Sequence, residues 1–284
     1  MKVLIYVNDL VADLPGLFLG EMIARQIDSE ITLLYVYPKD KKKKQGQKDG
    51  EKILEQAILK FPDFKVKTTI RRGSVDKRIM DEVEESEQDI FVITSTRIGG
   101  YPRKASVSKD CLTKISCSVL VAKNPKEPIK HILMLTGGFR VSEAIIETGA
   151  KIASALNAKV TLMHVTVNVP SMYTGLGTLE ETLEELLKTD TPVAKHLRKC
   201  ARVLDSYKVS SDIKLKHGEP VYEIIKEVDD GDYDFMIIGA SGATSTLKEW
   251  FLRNVTKDVV DLVGIPILIV NQAHAIEIGS LDLE

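Results

Sequence analysis

Four segments of the first half of this 284-residue chain recur in the second half in the same order. The matched pairs are 2–7 with 131–136, 31–36 with 160–165, 90–94 with 235–239 and 106–110 with 254–258. The offset between them grows from 129 to 145 and then to 148, which places insertions of 16 and 3 residues in the second copy. Chance does not keep spacing through separate segments, so the sequence predicts one fold present twice. Each copy is long enough to bury its own core.

Each copy alternates short apolar runs with segments of helical periodicity. A continuous apolar run such as FMIIG at 235–239 is typical of a parallel strand covered by helices on both faces. We therefore predict an α/β fold with two doubly wound domains, each a five-stranded parallel sheet with helices on both faces. The predicted strands lie near 2–7, 31–37, 65–70, 89–94 and 118–122 in copy one, and near 131–136, 159–166, 211–216, 234–239 and 265–270 in copy two.

The repeat also predicts the domain boundaries. We expect domain 1 at 1–125, domain 2 at 130–272 and a C-terminal tail at 273–284. The short segment NPKEPIK at 124–130 then links the two domains and keeps the second at high local concentration beside the first.

Composition excludes several classes of protein. A hydrophobic content of 44% and a charged content of 28% are ordinary for a globular chain, and no apolar run approaches the roughly 20 residues that span a bilayer. The sequence enters a strand pattern at once, without a signal-peptide pattern, so we expect a cytoplasmic protein without a membrane partner. Residues 1–128 carry 23 basic and 19 acidic side chains and residues 129–284 carry 16 and 22, an asymmetry too mild to indicate nucleic acid. Three cysteines without ligand spacing indicate neither a metal site nor a disulfide framework.

The 16-residue insertion of copy two falls between its second and third strands. Its acidic stretch from Glu180 to Leu187 predicts a short extra helix, with Thr178 as N-cap three residues before Glu181. Ligands bind outside the carboxyl ends of strands in open α/β sheets, and the insertion follows such an end. A lid over the cleft and a neutral surface excursion both remain open.

Two glycines, Gly239 and Gly242, follow the fourth strand of copy two and precede a helical segment. Without a Cβ the backbone there can approach a phosphate, and the next helix offers free amides to an anion. The same glycines are also compatible with a plain turn of the chain. The spacing alone does not separate these two interpretations.

Five stretches together resemble the universal stress protein family in its tandem, two-domain form. They are ILMLT at 132–136, HV at 164–165, KHGEPVYEIIKEV at 216–228, YDFMIIGASG at 233–242 and VTKDVVDLVGIPILIV at 255–270, and the resemblance covers residues 1–271. It implies a Rossmann-like fold of the adenine nucleotide alpha hydrolase type, an internal pseudo-twofold axis and a stress-response regulatory role. Members that bind ATP carry a glycine, two residues, a glycine, nine residues, and then glycine with serine or threonine.

What the resemblance implies for copy two is an adenine near the ends of its first two strands and phosphates on the glycine loop, with ATP, ADP or AMP as ligand. The residues placed there are Leu135, Thr136, Gly137, Val165, Gly239, Ser241, Gly242, Arg253, Asn254, Val255 and Thr256. This copy departs from the signature, because ten residues follow Gly242, and Arg253 and Asn254 then stand where glycine and serine or threonine are expected. Gly137 also replaces the acid that often ends the first strand in the family.

Copy one departs from the signature at its other end. Thr94 and Arg97 replace the two loop glycines, so the tight phosphate turn is lost. The matching candidates for weaker binding are Asn8, Val36, Ser106, Val107 and Ser108. We therefore expect an adenine nucleotide to bind weakly, or in domain 2 only.

The main alternative is a pseudo-dimeric scaffold of the same family that binds protein partners and no nucleotide. The resemblance implies that the two domains pack through their fifth strands, near 118–122 and 265–270, and a further homodimer stays open.

An enzyme is disfavoured, and the residues would support at most slow ATP hydrolysis. The five histidines are isolated in sequence, and no nucleophile elbow or HExxH motif is present, so we assign no catalytic residue and no metal ligand. TGGFRVS at 136–142 is a near miss to the phosphate loop of ATP pyrophosphatases, with Arg140 at the acidic position.

Overall fold

A computed structural model of the chain describes residues 1–27, 29–97, 106–137, 143–166, 182–239 and 247–271. In copy one the elements are β1 (Lys2–Tyr6), α1 (Leu14–Gln26), β2 (Glu30–Tyr37), α2 (Lys43–Ile58), β3 (Val66–Arg72), α3 (Val75–Ser86), β4 (Ile90–Thr94), a 3-10 turn (Ser95–Arg97), α4 (Lys109–Lys114) and β5 (Ser118–Ala122). In copy two they are β6 (His131–Thr136), α5 (Glu143–Leu156), β7 (Lys159–Thr166), α6 (Leu183–Lys188), α7 (Pro192–Ser206), β8 (Ser211–His217), α8 (Pro220–Asp230), β9 (Phe235–Gly239), α9 (Leu247–Leu262) and β10 (Ile267–Val270). All ten predicted strands are present, within one or two residues of the predicted positions.

The strands form one sheet in the order β3-β2-β1-β4-β5-β10-β9-β6-β7-β8. Within each copy every neighbouring pair is parallel, which confirms the predicted α/β fold. The two fifth strands, β5 and β10, are antiparallel neighbours, with Leu120 opposite Leu268. The chain therefore continues one sheet through both copies, with the second copy in reverse strand order.

Two apolar layers cover the faces of this sheet because successive strand residues point to opposite sides. Val3 and Ile5 of β1 belong to the layer under α1, α2, α5, α6 and α7. Leu4 and Tyr6 of the same strand belong to the layer under α3, α4, α8 and α9. Each layer contains residues of both copies, so the core is continuous across the β5–β10 pair.

A reciprocal pair of helix caps strengthens this junction. Lys123, directly after β5, is buried, and its Nζ donates to the carbonyl oxygens of Val260 and Val263 at the end of α9. Asn271 occupies the matching position after β10, and its Nδ2 donates to the carbonyl oxygen of Ile115, 2.9 Å away, just past α4. Each copy thus satisfies carbonyl groups that the last helix of the other copy leaves without a partner.

Each copy also buries one glutamate at the same position of the repeat. Glu82 of α3 is 3% exposed and accepts a hydrogen bond from Arg71 Nε at 2.8 Å. Its counterpart Glu227 of α8, also 3% exposed, accepts hydrogen bonds from two lysines of β8 and from a tyrosine hydroxyl. The donor atoms are Lys214 Nζ at 2.5 Å, Lys216 Nζ at 2.8 Å and Tyr233 OH at 2.7 Å. These carboxylates tie α3 and α8 to the outer strands of the sheet.

The insertion of copy two contains the predicted short helix, α6, at Leu183–Lys188. Thr182 caps it: its amide donates to Glu185 Oε2 at 2.9 Å, and its hydroxyl accepts from the Glu185 amide at 3.3 Å. The prediction of Thr178 as the cap was wrong, because the reciprocal pair forms four residues further on; Thr178 itself lies outside the described residues. Among the helices that the structure describes, none has the length and apolar character needed to cross a membrane.

We predict that Glu227→Gln lowers the free energy of unfolding by about 2 kcal/mol, because a neutral amide loses charge-assisted hydrogen bonds in a buried place. Burial alone would raise the pKa of Glu227, but the hydrogen bonds from Lys214, Lys216 and Tyr233 lower it to about 2. A lowered folded-state pKa stabilises the fold above the ordinary value of 4.5, and this contribution is lost as the pH falls towards 2.

Urea unfolding of the wild type and the variant between pH 7 and pH 3 measures this effect. The difference between them should shrink in acid. A difference independent of pH would mean that the carboxylate charge does not contribute. Asp229→Asn, at an exposed position of the same helix, is the matched control.

Candidate functional site

The strand order creates a crevice in each copy. In copy one β1 lies between β2 and β4, and in copy two β6 lies between β7 and β9, so the connections leave in opposite directions at these points. Ligands of open α/β sheets bind at such switch points, outside the carboxyl ends of the strands. The crevices at the ends of β1 and β6 are therefore the candidate sites.

Several predicted residues of copy two lie at this edge. Leu135 and Thr136 end β6, Gly137 follows, and Val165 stands one residue before the end of β7. Gly239 ends the neighbouring strand β9. Ser241 and Gly242 lie outside the described residues, as do residues 138–142 of the alternative phosphate loop.

The other four predicted residues of copy two are helical. Arg253, Asn254, Val255 and Thr256 lie within α9, which begins six residues before Arg253, at Leu247. Backbone amides this far into a helix are bonded to carbonyl groups of the preceding turn, so only the first amides of α9 are available to an anion. Val255 and Thr256 are buried in addition. In copy one the equivalent helix, α4, begins only after Ser108, whose own backbone is extended.

Packing against α5 explains Gly239 without a ligand. A Cβ at this position would clash with Cδ1 of Ile145, which is 1% exposed. In copy one the sizes are exchanged: Thr94 occupies the place of Gly239, and Gly16 occupies the place of Ile145. A Cβ on Gly16 would lie 2.6 Å from Thr94 Oγ1. Gly239, the first glycine of the signature, is therefore the small member of a small–large pair of contacting residues. In copy two the small residue is on the strand and the large one on the helix, and in copy one the two are exchanged.

In copy one the backbone amides that follow β1 already donate hydrogen bonds to a carboxylate of the chain itself. Asp13 is fully buried, and its Oδ2 accepts hydrogen bonds from the backbone amides of Asn8, at 2.7 Å, and Asp9, at 2.9 Å. Asp9 Oδ1 accepts in turn from the amides of Val11 and Ala12. These bonds fix the loop around the predicted residue Asn8 and give it negative charge.

At the other end of the copy-one crevice, the carboxylate of Asp76 likewise accepts a hydrogen bond from a backbone amide. The amide of Ser108 donates to Asp76 Oδ1 at 2.9 Å, and the Ser108 hydroxyl accepts from the amide of Cys111 at 3.0 Å. Val107 is fully buried, Val36 is 1% exposed and Ser106 is partly buried. An incoming phosphate would meet the Asp76 charge rather than a free amide.

Sequence reasoning missed a pair of histidines at the copy-two crevice. His164 Nδ1 donates to the carbonyl oxygen of Thr136 at 2.9 Å, and the Thr136 hydroxyl lies 2.6 Å from His196 Nε2. Cys200, one turn further along α7, places its Sγ 3.4 Å from the same nitrogen. These two histidines are far apart in sequence, and β7 and α7 bring them to one threonine. The register of β6 with β7 could have paired Thr136 with His164, whereas no sequence signal placed His196.

Both imidazoles are held in the neutral state. Burial lowers the pKa of His164 below 6.5 and outweighs the opposing hydrogen bond to Thr136. Burial also lowers the pKa of His196, and the positive charges of His164, when it is protonated, and of Lys199 lower it further. Among the residues that the structure describes, no group of three or more histidine, cysteine or acidic side chains is arranged to hold a metal ion. The pair is thus a polar, uncharged floor at the end of β6.

The small–large pair predicts a double-mutant coupling. Gly239→Ala should destabilise the protein by about 1–3 kcal/mol through overpacking, and Ile145→Val, which deletes Cδ1, by about 1 kcal/mol. The double variant should cost less than the sum, because the new Cβ takes the space of the deleted methyl group. Urea unfolding of all four proteins tests this. Additive effects would show that Gly239 is not a packing residue.

The histidine pair predicts that stability falls in acid. Because the folded-state pKa values of His164 and His196 are lowered, the stabilisation is complete above about pH 6.5 and decreases as the pH falls below it. In His164→Asn the side-chain amide can still donate to the Thr136 carbonyl oxygen, and in His196→Gln the side-chain amide stays near the Thr136 hydroxyl. Because each variant removes one titrating imidazole, each should flatten the dependence of the melting temperature on pH between 7.5 and 5. His217→Asn, on β8, is the control, and an unchanged profile in the double variant of the pair would contradict the assignment.

The model of the "Universal stress protein family" matches this chain twice, over residues 1–123 and 128–271. Among curated proteins, the "Universal stress protein A homolog" of Haemophilus ducreyi is 39% identical over 82 residues, which span 24% of this chain and 58% of that protein. The chain therefore matches a little over half the length of this relative.

Solved structures share the whole architecture. A universal stress protein from Archaeoglobus fulgidus superposes with a TM-score of 0.67 at 14% identity, over 95% of this chain and 96% of that one. A putative universal stress protein from Pseudomonas aeruginosa superposes with a TM-score of 0.66 at 17% identity, over 96% and 94%. At these identities the likeness establishes the fold alone. The two matches to the family model cover nearly the entire sequence, and the chain belongs to the universal stress protein family.

Proposed function

We propose that this protein is a cytoplasmic stress-response regulator that binds one adenine nucleotide, ATP, ADP or AMP, weakly and in its second copy only. Its two units are taken as residues 1–125 and 130–272, joined into one sheet. The proposed role is that of a sensor, in which the nucleotide changes the surface offered to protein partners, rather than that of an enzyme.

The observation that carries this proposal is the difference in charge between the two crevices. In copy one the Ser108 amide donates to the carboxylate of Asp76. The residue of copy two that matches Asp76 is Val221, which carries no charge. Asp13 adds a second internal carboxylate to copy one. Two fixed negative charges disfavour a triphosphate in copy one.

In copy two the proposed base site lies at the ends of β6 and β7. Thr136, Gly137 and Val165 lie there, and Thr136 contacts both neutral histidines. A polar floor without charge suits an adenine ring, which is itself neutral. The phosphates would meet the loop that precedes Leu247 and the first amides of α9, because the amides of Arg253 and Asn254 are inside the helix.

A scaffold that binds no nucleotide is the second candidate. Its support is specific: Ile145 already explains Gly239, and the early start of α9 removes the amides at the far end of the signature. In this case the duplicated domains would present only surfaces, and a homodimer through such a surface belongs to the same proposal.

Titration calorimetry and native mass spectrometry with ATP, ADP and AMP separate the two functions. We expect one nucleotide per chain, loss of binding in Gly242→Val and unchanged binding in Arg97→Ala, its copy-one control. Saturation with two nucleotides would contradict the assignment to one copy. No binding at millimolar nucleotide would leave the scaffold as the function, and the opposite behaviour of the two variants would place the site in copy one.

The Gly239→Ala, Ile145→Val protein adds a test of the glycine itself. If Gly239 serves packing alone, this double variant should bind nucleotide as the wild type does. Loss of binding in a stably folded double variant would show that the backbone at 239 approaches the phosphates.

A further inference from the structure

A cavity of about 340 Å³ lies between α1 and α5, away from both crevices. Its lining includes Gln26 and Ile27 at the end of α1 and one face of α5, with Thr148, Lys151, Ile152 and Ala155. Most of the lining is apolar. Cavities at the junction of two domains are common places for small ligands, whose pockets measure about 300–1,000 Å³.

The repeat shows how copy two differs at this place. At the offset of 129, Thr148 stands where copy one has Leu19, and Lys151 stands where copy one has Met22. Leu19 is fully buried and Met22 is 9% exposed, so both fill the apolar layer of their own copy. The third position is unchanged, since Ile152 matches Ile23. Where α1 of copy one has two apolar core residues, α5 of copy two therefore has a threonine and a lysine, and both residues line the cavity.

Lys151 is a lysine of this wall for which the described residues provide no ion-pair partner within contact distance. Its helical position predicts an outward-facing side chain, yet it is partly buried and lines the cavity. It makes no hydrogen bond or ion pair with any residue that the structure describes, and Glu147, one turn earlier, is the carboxylate whose charge acts on it. Burial lowers the pKa of Lys151, so the surroundings as they stand disfavour its charged form. A bound anion would reverse this effect.

We propose that this cavity binds a medium-chain monocarboxylate, with the carboxylate on Lys151 Nζ and the alkyl chain against Ile27, Ile152 and Ala155. The ammonium group of Lys151 complements the negative charge of a carboxylate, and the apolar walls gain by covering a hydrocarbon chain. The small volume selects a chain of medium length. The site goes beyond the proposed nucleotide function, since it lies between helices of the two copies and not at the ends of the strands.

Calorimetry and native mass spectrometry with decanoate test the proposal, and 1-decanol serves as the uncharged probe of the same length. We expect one decanoate per chain, bound about tenfold more tightly than 1-decanol, which corresponds to about 1.4 kcal/mol. Lys151→Met, which installs the residue of copy one, should remove this preference. Lys151→Arg should keep it, and Lys159→Met, which removes an exposed lysine outside the cavity, should leave binding unaltered.

The pKa of Lys151, followed by NMR of its labelled side chain, gives a readout that does not depend on a variant. It should rise when decanoate is added and stay constant with 1-decanol. Equal affinity for both probes, no saturable binding, or wild-type binding by a folded Lys151→Met protein would overturn the proposal. So would self-association of the chain through this face, because a second copy would then be the occupant. Binding of decanoate should be the same with and without ATP, whether or not the nucleotide site exists.

Discussion

The antiparallel pairing of β5 with β10 is the contact on which the rest of the structure depends. Without it each copy would end in an exposed strand edge that readily pairs with other chains. With it, the apolar layers on both faces run through both copies, and Lys123 and Asn271 each cap the last helix of the opposite copy. Covalent fusion makes the pairing intramolecular, so each copy is free to change while the other keeps the assembly intact.

The changes between the copies are compensated within each of them. Thr94 faces Gly16 in one copy and Gly239 faces Ile145 in the other, so the same volume is filled from opposite sides. Charge follows a similar division. Copy one satisfies the amides of its crevice with Asp76 and other carboxylates of its own, whereas copy two places neutral imidazoles at the end of β6. A crevice that has satisfied its own amides has little left to offer an anionic ligand.

Much of the fold could be predicted from the sequence, and less of the candidate site. The strands were predictable because continuous apolar runs report burial on both faces, and the second copy repeated each run in register. Glu82 and Glu227 escaped notice because apolar periodicity registers a buried glutamate as a surface position. The cap of α6 was misplaced because several threonines precede acidic residues in that stretch, and the spacing alone fits more than one pair. His196 approaches Thr136 from a helix 60 residues away, and no local pattern indicates such a contact.

The sequence by itself determined the class of fold, its duplication, the number and order of the strands and the family of the chain. The fold class, the duplication and the succession of strands follow from the period and register of apolar residues, whereas the family follows from the sequence stretches that resemble it and from the match to its model. Only the tertiary structure decided which glycine serves packing, which amides are already bonded, which histidines meet, and that Lys151 lines a cavity rather than the outer surface. Those outcomes depend on distances between side chains of different elements, and such distances exist only once the sheet and its two helical layers have assembled.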